Sequence, residues 1–442
     1  MIKRLLSENY RAFEKLDIPC AKINLFFGPN NSGKSAILSV LPLLAQTLRS
    51  SDPGVPLLLN GVFEDLGTYE DVVYGNDVSR NIMLGVEFQG SDPDSDDDVV
   101  KRRIEAIFHY RKPRRQIVVE SLKLTTDSQT LLSTRVAKVS KSQVIEDVRQ
   151  EYLPHITKGP SSSGHIELNH FVPDINRRIA GTLLSRRRSE RALAYRDFAF
   201  ALWDFEKYLR EDLGNVEFIG PFRSNPERIY PFSGETPSSV GVHGDNTVGI
   251  LVSDEFLQRR HKKDLTNRVS SWFRKSGIAK QVSIVPISER HFEVRLTHIH
   301  TGESENIADA GYGCSQILPI LVAGYHLQEN RSLLIAQPEI HLHPKAEAEV
   351  GTFLYEVAKR KIQLFVESHG VHLMLRLQSH VASGDITPED INVFCIFSDQ
   401  RTGRKRCRRM PIGRDGFFEE EWPSGFFTER LEEAKRLAKF SA

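Results

Sequence analysis

The sequence predicts an α/β fold: a mostly parallel sheet covered by helices, interrupted by a long insertion of β-ribbon and helix. Three observations carry this. First, "KINLFFG" (22–28) is a short apolar strand that runs into a glycine-bounded loop, and "SAILSVLPLLAQTLR" (35–49) is a helix that opens at the loop. Second, apolar strands return from residue 216: "VEFIG", "VSIVPI", "FEVRLTHI", "SLLIA", "IQLFVES" and "INVFCIF". Their alternation with helical stretches fits a parallel sheet with helices on its faces. Third, "RIEAIFHYR", "QIVVESLKLTT" and "LLSTRVAKV" make residues 99–140 read as β-ribbon, and 175–213 reads as helical. "NIMLGVEFQG" (81–90) is a further strand, and "GSDPDSDDD" (90–98) is an acidic, solvated hairpin tip. There is no repeat and no long heptad run, so no extended coiled-coil arm is expected.

Bulk properties narrow the class. The chain has 442 residues, is 40% hydrophobic and 26% charged, and carries a formal charge of +1. These values describe a globular protein with a sizeable core, and no global field that advertises nucleic acid. Its longest apolar stretch, near "QILPILVAG", is about half of the roughly 20 residues a bilayer crossing needs, so no membrane span is expected. The N-terminus shows no apolar core followed by a small-residue cleavage site. Cys20, Cys314, Cys395 and Cys407 are scattered without a CxxC pair, which fits a reducing cytoplasm and no structural zinc.

The loop Gly28-Pro29-Asn30-Asn31-Ser32-Gly33-Lys34-Ser35 fits GxxxxGK[ST], with the strand before it and the helix after it that the pattern requires. Its glycines let the backbone N–H groups of the loop, through Asn30, Asn31 and Ser32, turn inward on phosphate oxygens, and the helix N-terminus adds partial positive charge. Lys34 is expected to reach the β- and γ-phosphates of ATP, and Ser35 to place its hydroxyl on Mg²⁺. Residues 307–327, "IADAGYGCSQILPILVAGYHL", set Gly311, Gly313, Ser315 and Gln316 at the head of an apolar helix. This is either a plain helix cap or a second anion site. The strand "IQLFVES" ends at Ser368-His369, and after a phosphate loop His369 becomes a candidate γ-phosphate sensor.

The order of phosphate loop, Gly-x-Gly-x-Ser-Gln signature, "QPEIHLHP" (337–344) and strand-Ser-His resembles the ABC-type ATPase heads of the overcoming-lysogenization-defect, RecF and structural-maintenance group. It is more closely similar to bacterial AAA-type ATPases that end in a small C-terminal domain. "FEDLGTYEDVVYG" (63–75), "FIGPFRSNPERIYPFSGE" (218–235) and "MPIGRDGFFEEEWPSGFFTERLEE" (410–433) carry that likeness, which covers most of the chain except roughly 90–215. The resemblance implies an ABC-type P-loop head with a mixed central sheet flanked by helices. It implies N-terminal (1–90) and C-terminal (216–398) lobes of the ATPase, an insertion over 91–215 and a small domain over 399–442. It implies ATP and Mg²⁺ as cofactors. It also implies a homodimer or larger homo-oligomer in which the Gly311–Gln316 signature of one subunit closes over the nucleotide of another.

One position departs from the family pattern. Where the strand tip normally carries a glutamate for the magnesium shell, this chain has Ala336; the next residue, Gln337, is the one implied to face the attacking water. Losing one preorganised electrostatic group typically costs about 3–4 kcal/mol of transition-state stabilisation, or 10²–10³ in rate. Nucleotide binding should survive and turnover should fall, unless Glu339, beyond a proline, reaches back. Two explanations of Ala336 stay open: a substitution introduced to hold the ATP-bound state, or a natural ATP-binding switch. His341 and His343 have no third ligand at metal spacing, so no zinc site is expected.

Relatives of this kind occur in antiphage defence and DNA repair, often beside a separate nuclease. The first functional expectation is therefore an ATPase that controls a separate nuclease or toxin effector. The alternative is a repair or clamp ATPase that binds DNA ends or duplex itself. A transporter head is disfavoured by the long insertion between loop and signature. A built-in nuclease is disfavoured because 45 residues follow Phe397, against an ordinary domain of about 100. The basic runs "RRRSER" (186–191) and "RKRCRR" (404–409) permit contact with DNA phosphates; they lack interleaved aromatics for base stacking.

Overall fold

A computed structural model of the protein describes residues 1–92, 95–136, 143–148, 165–174, 190–257 and 263–422. The chain forms two compact units, Met1–Cys20 with Ser39–Val216, and Ala21–Leu38 with Glu217–Ala442.

The first unit is built on an eight-stranded antiparallel sheet. Its order is Phe13–Pro19, Ile2–Tyr10, Ile82–Asp92, Ser95–Arg111, Gln116–Thr126, Gln129–Val136, Gln143–Val148 and His165–Ile166. Within the acidic segment Asp92 pairs with Ser95 across the second hairpin, and residues 93–94 lie outside the described residues. The helix Glu190–Gly214 packs on this sheet, with Phe205 edge-on to Phe88 at 5.5 Å. The buried Arg102 reaches from the sheet to Asp204 at 2.6 Å and lies over the Tyr208 ring. The expected division after residue 90 does not coincide with the packing. Ile82–Asp92 pairs with Ile2–Tyr10 on one side and Ser95–Arg111 on the other, so one ladder runs across that point without a seam. Of the basic run 186–191, residues 186–189 lie outside the described residues.

The second unit holds the sequence motifs. Its main sheet uses β1 (Ile23–Phe27), β2 (Val216–Ile219), β3 (Ser332–Ala336), β4 (Gln363–Ser368), β5 (Ile391–Ser398) and β6 (Lys405–Arg409), in the order β2-β3-β4-β1-β5-β6. Strands β3, β4, β1 and β5 are parallel, and β6 is antiparallel to β5. Every residue of β1, β3 and β4 is buried, which is why they read as near-continuous apolar runs. The sheet is mixed, as the family resemblance implies. A second, antiparallel sheet centres on His291–Thr297, which pairs with Tyr230–Pro231, Gln281–Ser288 and Ser304–Asn306.

Helices α1 (Lys34–Leu38), α2 (Leu265–Ser276), α3 (Tyr312–His326), α4 (Pro344–Lys359) and α5 (Val371–Ala382) belong to this unit. The helix expected over 35–49 is interrupted at Ser39. Helix α3 is apolar around nearly its whole circumference and is buried from Cys314 to Tyr325, as such a helix must be. Among the described residues after 398, Lys405–Arg409 is the edge strand of the main sheet, and Trp422 packs edge-on to Phe27 at 6.3 Å. Residues 423–442 lie outside the described residues.

Candidate functional site

Three strand ends converge on one place in the second unit. Parallel strands carry their ligand groups at their C-terminal ends, and here β1, β3 and β4 end side by side.

The end of β1 is the phosphate loop. Gly33 has φ 106, a value open to glycine and strained for other residues, and Asn31 has φ 60. A Cβ at Gly28 would collide with the Ile396 carbonyl oxygen, so only glycine lets the loop leave the sheet this close to β5. Lys34 is 4% exposed, and its Nζ donates to the Gly28 and Pro29 carbonyls at 2.9 and 3.0 Å. Burial lowers its pKa, while the nearby carboxylates of Glu367 and Glu339 oppose that shift. The buried hydroxyl of Ser32 has no partner. Lys405 Nζ, from β6, donates to the Asn31 carbonyl at 2.7 Å and to Ser398 Oγ at 2.9 Å.

The end of β3 is Ala336, 2% exposed. Gln337 follows with φ 49, and its N–H donates to the Glu367 carbonyl at 2.7 Å. The chain therefore turns sharply just where the family pattern places an acid. Arg223 holds that turn. Its Nη2 donates to the carbonyls of Ala336 at 2.5 Å and Gln337 at 3.2 Å, and the residue is 5% exposed. Arg223 Nε and Nη1 are buried without partners, and burial pushes the guanidinium pKa down to about 10, with Glu339 opposing.

The end of β4 brings three polar groups. Glu367, 5% exposed, accepts from Ser35 Oγ at 2.9 Å (Oε2) and 3.2 Å (Oε1), and its Oε1 lies 4.0 Å from Lys34 Nζ. Ser368 donates to Glu339 at 2.9 Å, and the His369 N–H donates to Glu339 at 2.6 Å. Burial raises the Glu339 pKa; those hydrogen bonds work against it. His369 has a buried Nε2 without a partner. Burial first, and then Lys34, push its pKa down to about 4, so near neutral pH it is an uncharged imidazole.

The signature residues sit together at the start of α3. Gly311 is its N-cap, and Ser315 Oγ donates to the Tyr312 carbonyl at 2.9 Å. Gln316 is 3% exposed, with Nε2 unpartnered. Tyr312 packs edge-on to His341 at 5.0 Å and donates to Asn225 at 2.9 Å. His343 caps α4, accepting from the Ala346 N–H at 3.5 Å. Asn30 and Asn31 are exposed at the top of the loop.

The structure thus brings Gly28–Ser35, Ala336, Gln337, Glu339 and His369 to neighbouring strand ends. It adds three residues that motif reading passed over: Glu367, Arg223 and Lys405. Glu367 had a signal, since a carboxylate inside the buried strand "QLFVES" is costly without a partner or a task. Arg223 lay within the stretch 218–235 that carries the family likeness and Lys405 within the basic run 404–409, but nothing local tied either one to this site.

No curated protein matches the chain. Among solved structures it is similar to an SmcHead bound to the C-winged helix domain of ScpA, with 11% identity over 93% of this chain and 98% of that one and a TM-score of 0.42. It is also similar to the Smc head domain with an extended coiled coil from Pyrococcus furiosus, bound to the C-terminal domain of ScpA (13% identity, 99% and 98% covered, TM-score 0.40). A third is the SMC head domain from Thermotoga maritima (8% identity, 93% and 99% covered, TM-score 0.41). The family is set by a different finding, a match over residues 23–375 that takes in the phosphate loop, the signature helix and all three strand ends. By that match the chain belongs to the ATPase family described as "AAA domain, putative AbiEii toxin, Type IV TA system".

Proposed function

We propose that this protein is an ABC-type ATPase head that binds ATP with Mg²⁺, pairs with a second copy of itself, and controls a separate nuclease or toxin effector in antiphage defence. The observation that carries the reading is the phosphate loop itself. It has the left-handed Gly33 and Asn31, the glycine-only approach of Gly28 to β5, and Lys34 drawn inside the loop. The residues fit the nucleotide. Ser32 Oγ and His369 Nε2 are buried polar atoms without partners at the same strand ends. The toxin–antitoxin wording of the family description supports an effector-linked role.

Each residue has a part in this reading. Loop N–H groups and Lys34 would hold the phosphates, and Ser35 Oγ would offer an oxygen to the metal. Neutral His369 presents Nε2 toward the γ-phosphate without adding charge. The metal, when bound, neutralises charge on the phosphate oxygens. Gln337 orients water. With alanine at 336, turnover is slow and the nucleotide-bound form is long-lived. Gly311, Gly313, Ser315 and Gln316 serve the partner's nucleotide.

A fluorescent ATP analogue titrated into the parent and Lys34→Ala proteins tests the core of this. Removing two charge-assisted hydrogen bonds, about 1.5 kcal/mol or more each, should weaken affinity about a hundredfold or more. Unchanged affinity would remove the assignment. Sedimentation with and without ATP–Mg²⁺ tests the pairing, and an oligomer size indifferent to nucleotide counts against it.

A further inference from the structure

We propose that Glu367 supplies the metal-site carboxylate of this protein, from the strand beside the one where the family pattern expects it. The inference rests on the ATP–Mg²⁺ reading above and assigns to a residue of this chain the metal-holding part of the role that the pattern leaves empty at 336; the part that aims the attacking water stays unfilled.

The register makes the geometric case. Ala336 on β3 pairs with Glu367 on β4, and Glu367 pairs with Phe26 on β1. Side chains alternate along each strand, so residues paired across neighbouring strands share a face of the sheet. Glu367 therefore projects from the same face as position 336. It does so one strand nearer to β1 and the loop, a step of about 4.8 Å. The hydrogen bonds make the chemical case. Ser35 Oγ, the hydroxyl expected to reach the metal, already meets both carboxylate oxygens, at 2.9 and 3.2 Å. A hydroxyl and a carboxylate side by side at the end of a phosphate loop form the oxygen donor pair that a hard divalent cation prefers.

Charge and competition point the same way. Burying a carboxylate is expensive unless a cation compensates it. Lys34 Nζ at 4.0 Å is too far for a direct hydrogen bond, so the ammonium offsets the charge without bonding directly to the oxygens that would meet a metal beside Ser35. The other acid at these strand ends, Glu339, is engaged differently. It accepts the His369 N–H at 2.6 Å and the Ser368 hydroxyl at 2.9 Å, which makes it the anchor of the turn after β4.

The test uses the full chain and two probes. The first is affinity for a fluorescent ATP analogue with Mg²⁺ and with EDTA. The second is Mn²⁺ binding in the presence of ATP, read by electron paramagnetic resonance. Glu367→Gln keeps the size of the side chain and removes the charge. It should weaken Mn²⁺ binding about 10- to 100-fold, the range expected when a group that tunes a metal site is removed. Mg²⁺ should then no longer tighten nucleotide binding, while affinity in EDTA stays close to the parent's. Glu367→Asp keeps the charge on a shorter arm and should fall between parent and Gln variant, which covers the case in which the Gln variant fails to fold. Unchanged Mn²⁺ affinity in whichever variant folds overturns the inference. That result differs from failure of the underlying reading, in which the parent itself shows no Lys34-dependent nucleotide binding.

Discussion

The ends of β1 and β3 lie in one sheet, separated only by β4, yet they keep their chemistry in different ways. At the end of β1 every group of the phosphate loop comes from eight consecutive residues. At the end of β3 the strand stops at Ala336, and the carboxylate that meets the loop hydroxyl comes from β4. The difference follows from what each task requires. A cradle of backbone N–H groups needs a contiguous run with fixed φ and ψ, so it must be written as one word in the sequence. A carboxylate near a metal needs only a position in space, and any neighbouring strand end can provide it.

Ala336→Glu breaks this comparison most directly, by giving β3 back its own acid. An added preorganised carboxylate should raise steady-state phosphate release about 10²–10³-fold, or about 3–4 kcal/mol of transition-state stabilisation. Affinity for ATP should change little, the mark of a group that acts mainly in the transition state. Position 336 is buried and shares a face with Glu367, so the added carboxylate would rely on the bound metal and on the Arg223 guanidinium, which lies against the residue's own carbonyl and has two unpartnered nitrogens, to offset its charge. If the alanine form already turns over as fast, Glu367 performs the whole task and the slow-turnover reading falls. If the glutamate form is equally slow, the chain is an ATP-binding switch.

Arg223 sharpens the comparison from the other side, because β1 leaves its sheet through a glycine loop and β3 leaves through a turn held by a cation. Arg223→Met removes the donors to the Ala336 and Gln337 carbonyls. Stranding buried acceptors costs about 1–3 kcal/mol, so thermal unfolding should shift down measurably. Gln337 is held at φ 49 by Arg223 and by its own N–H to Glu367. Loosening it should also reduce any turnover gained by Ala336→Glu. A variant as stable as the parent, with that gain intact, would show the turn to be self-supporting.

How much of this was legible in the sequence follows the same division. The phosphate loop, the apolar strands and the signature helix could be read, because each is a local pattern with its own period or spacing. So could the α/β class, while the mixed sheet was implied by the family resemblance. The position of Glu367 could not, because it depends on which strand lies beside β3, and strand order is a long-range property. The pairing of the strand that ends near residue 90 was hidden for a related reason. "NIMLGVEFQG" looks the same whether it pairs within an ATPase lobe or extends an antiparallel ladder, and only its partners Ile2–Tyr10 and Ser95–Arg111 decide. The basic run near 405 looks like one cluster in the sequence, but the structure divides it. Lys405 turns to the phosphate loop at Asn31, while Arg406, Arg408 and Arg409 face solvent on the edge strand.

That edge strand gives the smallest of the expected effects. β6 is antiparallel to β5 at the end of the main sheet, and its alternation puts neighbouring arginines on different faces. Arg408 is ion-paired with Glu420, and Arg406 lies 4.0 Å from Asp399. Exposed pairs of this kind are worth little in stability, so reversing the charges should barely move the melting temperature. If these arginines meet DNA phosphates, Arg406→Glu with Arg409→Glu should weaken duplex binding uniformly across sequences. It should also reduce the slope of log K against log salt by about one for each phosphate no longer neutralised. The Lys405 hydrogen bond to Asn31 is untouched in that variant, so nucleotide affinity serves as an internal control. An unchanged salt slope with unchanged nucleotide affinity would make β6 a solvated edge whose charges deter strand-to-strand association, a common use of basic residues on exposed sheet edges.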